Sequence, residues 1–555
     1  MKRIPILLTA LIVSFAGMGQ TPFATRDSMN VNHINASVLL HGDMWWNPTT
    51  EVAACEYPTG SHKHVGFTSG IWMSGYDAGN DLHVAAQTYR QDGNDYWPGP
   101  IDGSGSLSMA TSTDWAKFFR VTQSDIQTFL SLSTHTTTNT PPSILTWPGA
   151  GNTYATGNAG AALTIPAGTN MAPFVDVNGN GLYEPLLGDY PRIRGDQSLW
   201  WVFSDYGPTH TQTNGLPLGV EVHVLNYAYS RNTIIDNVVF YEFTVFNKSP
   251  IQYDSFRLGL HADMDLGYYN DDFIGFDSAH RMGIVYQGSP ADGTAGGYPL
   301  NSYGYNAPMA GVTLLELPGD SGPTKVPAGS FNYYHNDNSV EGNPTNAAQY
   351  NYYLRSRIRN GNHRYNGFTP GMPWDTAGPS VNYVLPGDPS DTAQWSECAE
   401  GAVPGDRRFI ITSNDLTLPP GGTVKISMAL VVTDTNQGGC PMVNFHDIKT
   451  VADSAWVVYL NPPAPVSIAI SNVNQAPQLT VYPNPASTIL TAELSAPATA
   501  NTTFQVFNSI GQLMPVHIQV AGNKATADIA QLPAGVYQLR CSNDSNSTTA
   551  RFVKQ

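Results

Sequence analysis

From residue 238 to residue 247 the chain reads Val-Val-Phe-Tyr-Glu-Phe-Thr-Val-Phe-Asn, and its period of two leaves little choice of structure. Val239, Tyr241, Phe243, Val245 and Asn247 fall on one face of a strand. Val238, Phe240, Glu242, Thr244 and Phe246 fall on the other. Branched and aromatic side chains pack well on a pleated surface and are restricted in a helix, so the run favours a sheet. Asn247-Lys248-Ser249-Pro250 interrupts it, and residues 253–261 read as a second strand returning beside the first.

The rest of the chain is written in the same style. Charged residues make up only 12% of 555 positions, while Gly (52), Pro (41) and Tyr (28) are plentiful, which fits short strands and turns rather than long solvated helices. The expected class is therefore mainly β, with a multi-domain β-sandwich-like body and few short helices. One core does not serve this length, so two to four domains are expected. A net charge of −17 argues against nucleic acid, which needs clustered Lys and Arg. It suits an exported protein that holds divalent cations.

Two stretches carry the cation reading. The return strand runs into Asp263, Asp265, Asp271, Asp272 and Asp277 within 15 residues, spaced by Gly267 and Gly275. Carboxylates so dense repel one another unless they are solvated or share a cation, and oxygen-rich glycine-punctuated loops suit calcium. The alternative is a solvated acidic loop. Upstream, Asp176-Val177-Asn178-Gly179-Asn180-Gly181 begins like an EF-hand loop, with Glu184 and Asp189 placed to complete it. Position twelve is Leu187 rather than a bidentate Glu, and no flanking helices are evident. A single calcium loop of the dockerin or thrombospondin-repeat kind is expected instead, with a plain Asn-Gly turn as the alternative.

Other features are assigned structural roles. Cys398 and Cys440 are expected to close a loop worth about 4 kcal/mol in the chain-entropy model, leaving Cys55 and Cys541 as buried thiols. His62, His64 and His83 form no defined ligand set. Tyr96-Trp97-Pro98-Gly99-Pro100 reads as a buried turn, and Arg194-Gly195-Asp196 is not taken as an adhesion site because a buried strand follows at once. Ser124 is the expected N-cap of a short helix with Asp125 in its first turn. Residues 445–459 repeat apolar positions at three and four and are expected to be an amphipathic helix. Residues 407–413 and 423–433 read as a hairpin around Pro419-Pro420-Gly421-Gly422. No HExxH, GxSxG or P-loop is present, so no catalytic residues are nominated.

The two ends give an address. Lys2 and Arg3, an apolar run to Ala16, and Gly17 and Gly19 read as a signal peptide over residues 1–19, and no later run is apolar for long enough to span a bilayer. Near the other end come Leu479-Thr480-Val481-Tyr482-Pro483-Asn484-Pro485-Ala486, a Phe504 to Leu513 strand-and-turn, Leu532-Pro533-Ala534-Gly535-Val536-Tyr537 and Arg551-Phe552-Val553-Lys554. In this order the four motifs resemble the type A C-terminal sorting domain of the type IX secretion system of Bacteroidota. The resemblance implies a small immunoglobulin-like β-sandwich at residues 478–555 that engages the secretion machinery. It also implies release or attachment at the cell surface, with glycan or lipopolysaccharide as the possible anchor. Segments of the body, such as GDRRFIITSNDLTLPPGG, are similar to large secreted Bacteroidota proteins of unassigned function. The expected plan is a β-rich unit at 20–150, a central sandwich-like domain at 151–460, a linker at 461–477 and the sorting domain. The expected function is that of a secreted or surface-held non-catalytic β-protein, structural or ligand-binding and calcium-stabilised. The alternative is a secreted hydrolase acting on glycan or protein.

Overall fold

The structure is a computed structural model. It describes residues 25–88, 93–103, 105–293, 301–365, 379–433, 439–440, 442–464, 479–494, 502–509, 511–542 and 547–555. The signal peptide expected at 1–19 lies outside the described residues. The chain divides into two compact units, at Met1–Val466 and Ser467–Gln555.

Along the first unit the principal strands are β1 (Asn35–Leu39), β2 (Asp43–Met44), β3 (Thr68–Tyr76), β4 (Gln197–Ser204) and β5 (Val220–Ala228). They continue with β6 (Val238–Asn247), β7 (Tyr253–Asp263), β8 (Asp272–Asp277) and β9 (Met282–Gln287). The last are β10 (Ala310–Glu316), β11 (Ser330–His335), β12 (Arg407–Thr412) and β13 (Thr423–Val432). One sheet runs β11-β12-β7-β3-β2-β1, and the other runs β4-β5-β6-β13-β10-β9-β8. All of these pairings are antiparallel. The first sheet joins strands from before residue 80 to strands from after residue 250.

The sheets face one another through the inner positions of each strand. Val239, Tyr241, Phe243 and Val245 of β6 share one core with Leu258, Leu260 and Ala262 of β7. The opposite face of β6 is apolar at Val238 and Phe240 because helix α1 (His446–Leu460) covers it with Ile448, Val451, Ala452 and Ala455. That double covering is why β6 is nearly continuous in apolar side chains.

Two sequence expectations need correction here. β6 and β7 do not pair: β6 lies between β5 and β13, and β7 between β3 and β12. Nor do β12 and β13 pair. Both connections arch from one sheet to the other, because each pair of strands buries facing surfaces across the sandwich rather than edges within one sheet. Asn247, fully buried, ties the two arches together. Its Nδ2 donates to the carbonyls of Ile251 (2.8 Å), Leu418 (3.2 Å) and Pro419 (3.0 Å), and its Oδ1 accepts from Ser249 N (3.0 Å).

Smaller details follow local chemistry. The helix at Gln123–Leu130 is capped by Thr122 rather than Ser124. Thr122 Oγ1 accepts from Asp125 N (3.2 Å) and Asp125 Oδ2 from Thr122 N (2.9 Å), a reciprocal box that only this spacing allows. Cys398 and Cys440 form a disulfide with a Cα separation of 5.7 Å, and Cys55 and Cys541 are buried thiols. Arg194 pairs with Glu242 and lies over the rings of Tyr227 and Tyr459, while Asp196 pairs with Arg231. The Arg-Gly-Asp tripeptide is thus consumed within the fold.

The second unit is a small sandwich of two four-stranded sheets. Leu490, Val506, Ile529, Tyr537, Leu539 and Phe552 form its core. Among the described residues no helix is long and apolar enough to cross a membrane.

Candidate functional site

Side chains alternate along β7. Leu260 and Ala262 enter the sandwich core, so His261 and Asp263 face the other way. Register places Asp263 opposite Thr68 on β3 and Arg408 on β12. Asp265 follows two residues beyond the strand, and Asp406 directly precedes β12. Asp263, Asp265 and Asp406 thereby converge, each offering one oxygen within 4.8 Å of the others. Oxygens on opposite sides of a calcium ion stand about 5 Å apart, given Ca–O distances of 2.3–2.6 Å. The spacing suits such an ion.

The electrostatics are unbalanced. Arg408 sits 2.9 Å from Asp263 Oδ2 and 2.7 Å from Asp406 Oδ1, so one guanidinium serves two carboxylates and Asp265 makes a third. Burial, then the charges of Asp263 and Asp406, push the Asp265 carboxyl well above its ordinary range, against the pull of Arg408. Without a cation these influences favour the neutral form of Asp265 over the charged one. Under this group, His261 stacks on Trp72 at 4.7 Å and 6°, with its Nε2 2.9 Å from the Tyr334 hydroxyl. Burial and then Arg408 lower His261 to about 3, so it is neutral and adds no positive charge.

A second acid group adjoins the first. Asp272, 1% exposed, accepts Leu266 N–H on Oδ2 (2.9 Å), while its buried Oδ1 has no hydrogen-bond partner. Burial, and then the charges of Asp271, Asp265 and Asp292, drive it well up. Asp271 accepts from Gly293 N (2.8 Å), and its pKa is also raised by burial. Asp292, raised by burial to about 6, accepts Tyr268 N–H (2.8 Å) and so pins the turn between Asp265 and Asp271. Gly267 is obligatory in that turn: it sits at φ +71°, and a Cβ there would meet Asp292 Oδ2 at 2.0 Å. Asp277 stands at the other end of β8, paired with His280 (2.8 Å) and Lys449 (3.5 Å).

The loop at residues 176–189 organises itself differently. Asp176 accepts the N–H groups of Gly179 (2.7 Å), Asn180 (3.3 Å) and Gly181 (2.7 Å). Asn178 and Asn180 donate to Glu184 Oε2 at 3.2 and 2.5 Å. Asp189 is buried beneath, accepting Val177 N–H and Glu184 N–H at 2.8 Å each. Among the described residues the acids that converge are those at 263, 265 and 406, and not those of this loop.

Asp406 and Asp292 were not nominated from the sequence. Both are single acids far along the chain from Asp265, and only strand register brings them near. His62, His64 and His83 do not form a site. His83 Nδ1 lies 2.6 Å from Pro217 O, and His62 is exposed beside Glu56.

Comparison with known proteins decides the role of the second unit. Residues 480–555 match the family described as the secretion system C-terminal sorting domain. The tail is a sorting domain. It belongs to the type IX secretion system, and the chain is exported to the cell surface or the extracellular space. The sorting domain engages the secretion machinery. No curated protein matches the chain. Among solved structures, a polysaccharide lyase aligns over 60% of this chain at 10% identity and a TM-score of 0.18. The chain spans 34% of that protein's length, and at this score no property of the lyase transfers.

Proposed function

We propose that the exported body is a non-catalytic β-protein, structural or ligand-binding, that holds calcium where β7 ends and β8 and β12 begin. The supporting observation is the convergence of Asp263, Asp265 and Asp406 around a single guanidinium. Buried Asp272 and Asp271 adjoin this group, and Asp176, Asn178, Asn180, Glu184 and Asp189 offer a further oxygen-rich loop. A hard cation exchanges the mutual repulsion of these acids for shared coordination.

Calcium that binds only the folded state, at a hundred times its dissociation constant, stabilises it by about 2.7 kcal/mol, or about 3 °C per site for a body of this size. The gain is expected to grow as pH rises from 5 to 7.5. Burial and neighbouring carboxylates raise Asp265 and Asp272 in the metal-free fold, so calcium competes there with protons and the competition eases as pH rises. Asp265→Asn should raise the melting temperature of the metal-free protein, because a neutral amide avoids the cost of burying a carboxyl beside two others, yet shrink the calcium response. Scanning calorimetry at both pH values checks this. Melting curves that superimpose with and without calcium defeat the proposal.

A further inference from the structure

Between residue 99 and residue 191 the chain runs outside the second sheet except at Phe119–Thr122, a short strand paired with β4. It lays a core of Trp115, Phe119, Trp147 and Tyr183 over Trp200 and Val202 on the outer face of β4. Where this layer overhangs β5 it leaves a cavity of about 930 Å³. Glu221 of β5, 1% exposed, lies at its floor. The Glu221 Oε2 accepts Ile101 N–H (2.8 Å), and its Oε1 lies 2.9 Å from His223 Nε2 and 3.4 Å from Lys248 Nζ. Burial works against the Glu221 charge, but His223 and Lys248 hold its pKa below the usual range.

The geometry points to a binding site for a neutral oligosaccharide. The floor charge is already compensated within the protein, so nothing there calls for an ionic ligand. Glu221, Asp102 and Asp114 outnumber Lys248 along the lining, which disfavours anionic chains. Thr111, Thr164, Thr169 and Asn170 both donate and accept hydrogen bonds, as sugar hydroxyls do. Pro100, Ile101, Pro166 and Met171 also line the cavity, are at least partly exposed, and offer apolar surface to the C–H faces of a sugar ring. A peptide is a poorer fit. Extended peptides add to a sheet edge, whereas β5 is paired on both sides and presents only its face. The volume lies at the upper end of small-ligand sites, which favours several sugar units over one.

The test is calorimetric titration of the exported chain with maltotriose, cellotriose, chitotriose and mannotriose, alongside trigalacturonate and trilysine. At least one neutral trisaccharide should bind. Thr164→Trp, at an exposed position of the lining, should weaken that binding at least tenfold with no change in melting temperature. The cavity shares no residue with the acid cluster, so binding should persist in calcium-free buffer whatever becomes of the calcium proposal. The inference is overturned if no neutral trisaccharide binds, if a charged probe binds more tightly, or if Thr164→Trp leaves binding unchanged.

Discussion

A chain ending at residue 466 is expected to accumulate in the periplasm, with near-complete loss from the cell surface and the medium. The sorting domain closes its own core around Leu490, Val506 and Phe552, and the cores of the body draw on none of its residues. Among the described residues the deletion therefore removes the address and leaves every core residue of the body in place. The truncated body should melt as a cooperative unit at its full-length temperature while remaining inside the cell. Fractionation with immunodetection reads the outcome. A truncated chain recovered from the medium or the surface at the full-length level contradicts the role of residues 480–555.

Arg281→Met is expected to cost about 3–5 kcal/mol, the range for breaking a buried ion pair from one side. Arg281, 1% exposed, donates to the carbonyls of Leu314 (3.1 Å), Leu315 (3.0 Å) and Val326 (3.2 Å) and grips both oxygens of Asp320 at 3.0 and 2.8 Å. Methionine restores the volume but leaves three carbonyls without the guanidinium and Asp320 without its counter-charge, with only the N–H groups of Leu317 (3.0 Å) and Val326 (2.7 Å) still donating to it. Arg281→Lys keeps one charge and loses the fork, so its cost should be intermediate. Asp320→Asn added to Arg281→Met should recover part of the loss, because the uncompensated charge is then gone. Urea denaturation measures all three, and a cost under about 1 kcal/mol for Arg281→Met contradicts the assignment.

How far the sequence could be read depended on whether the physics was local. Alternation in β6 assigned each side chain to the correct face, because a period of two is a property of a few successive residues. It could not name partners: β6 and β7 looked like a hairpin, and only the facing cores of two sheets explain why the chain arches instead. The Pro419-Pro420-Gly421-Gly422 turn misled in the same way. It marks a reversal of direction, which a hairpin and an arch share. Thr122 was legible from its spacing to Asp125, yet Ser124 next to it was the more obvious cap. At the acid site, Asp263 and Asp265 were visible as a local excess of charge. Asp406, Arg408 and Asp292 were not, since register between distant strands assembles them.

Calcium titrated calorimetrically into the metal-free exported chain tests the central claim most directly. The account predicts saturable binding accompanied by proton release. Asp265→Asn and Asp406→Asn should each weaken binding, and magnesium should be a poor substitute because it demands tighter octahedral geometry. Heats that never saturate up to millimolar calcium, or binding that both substitutions leave untouched, would contradict it.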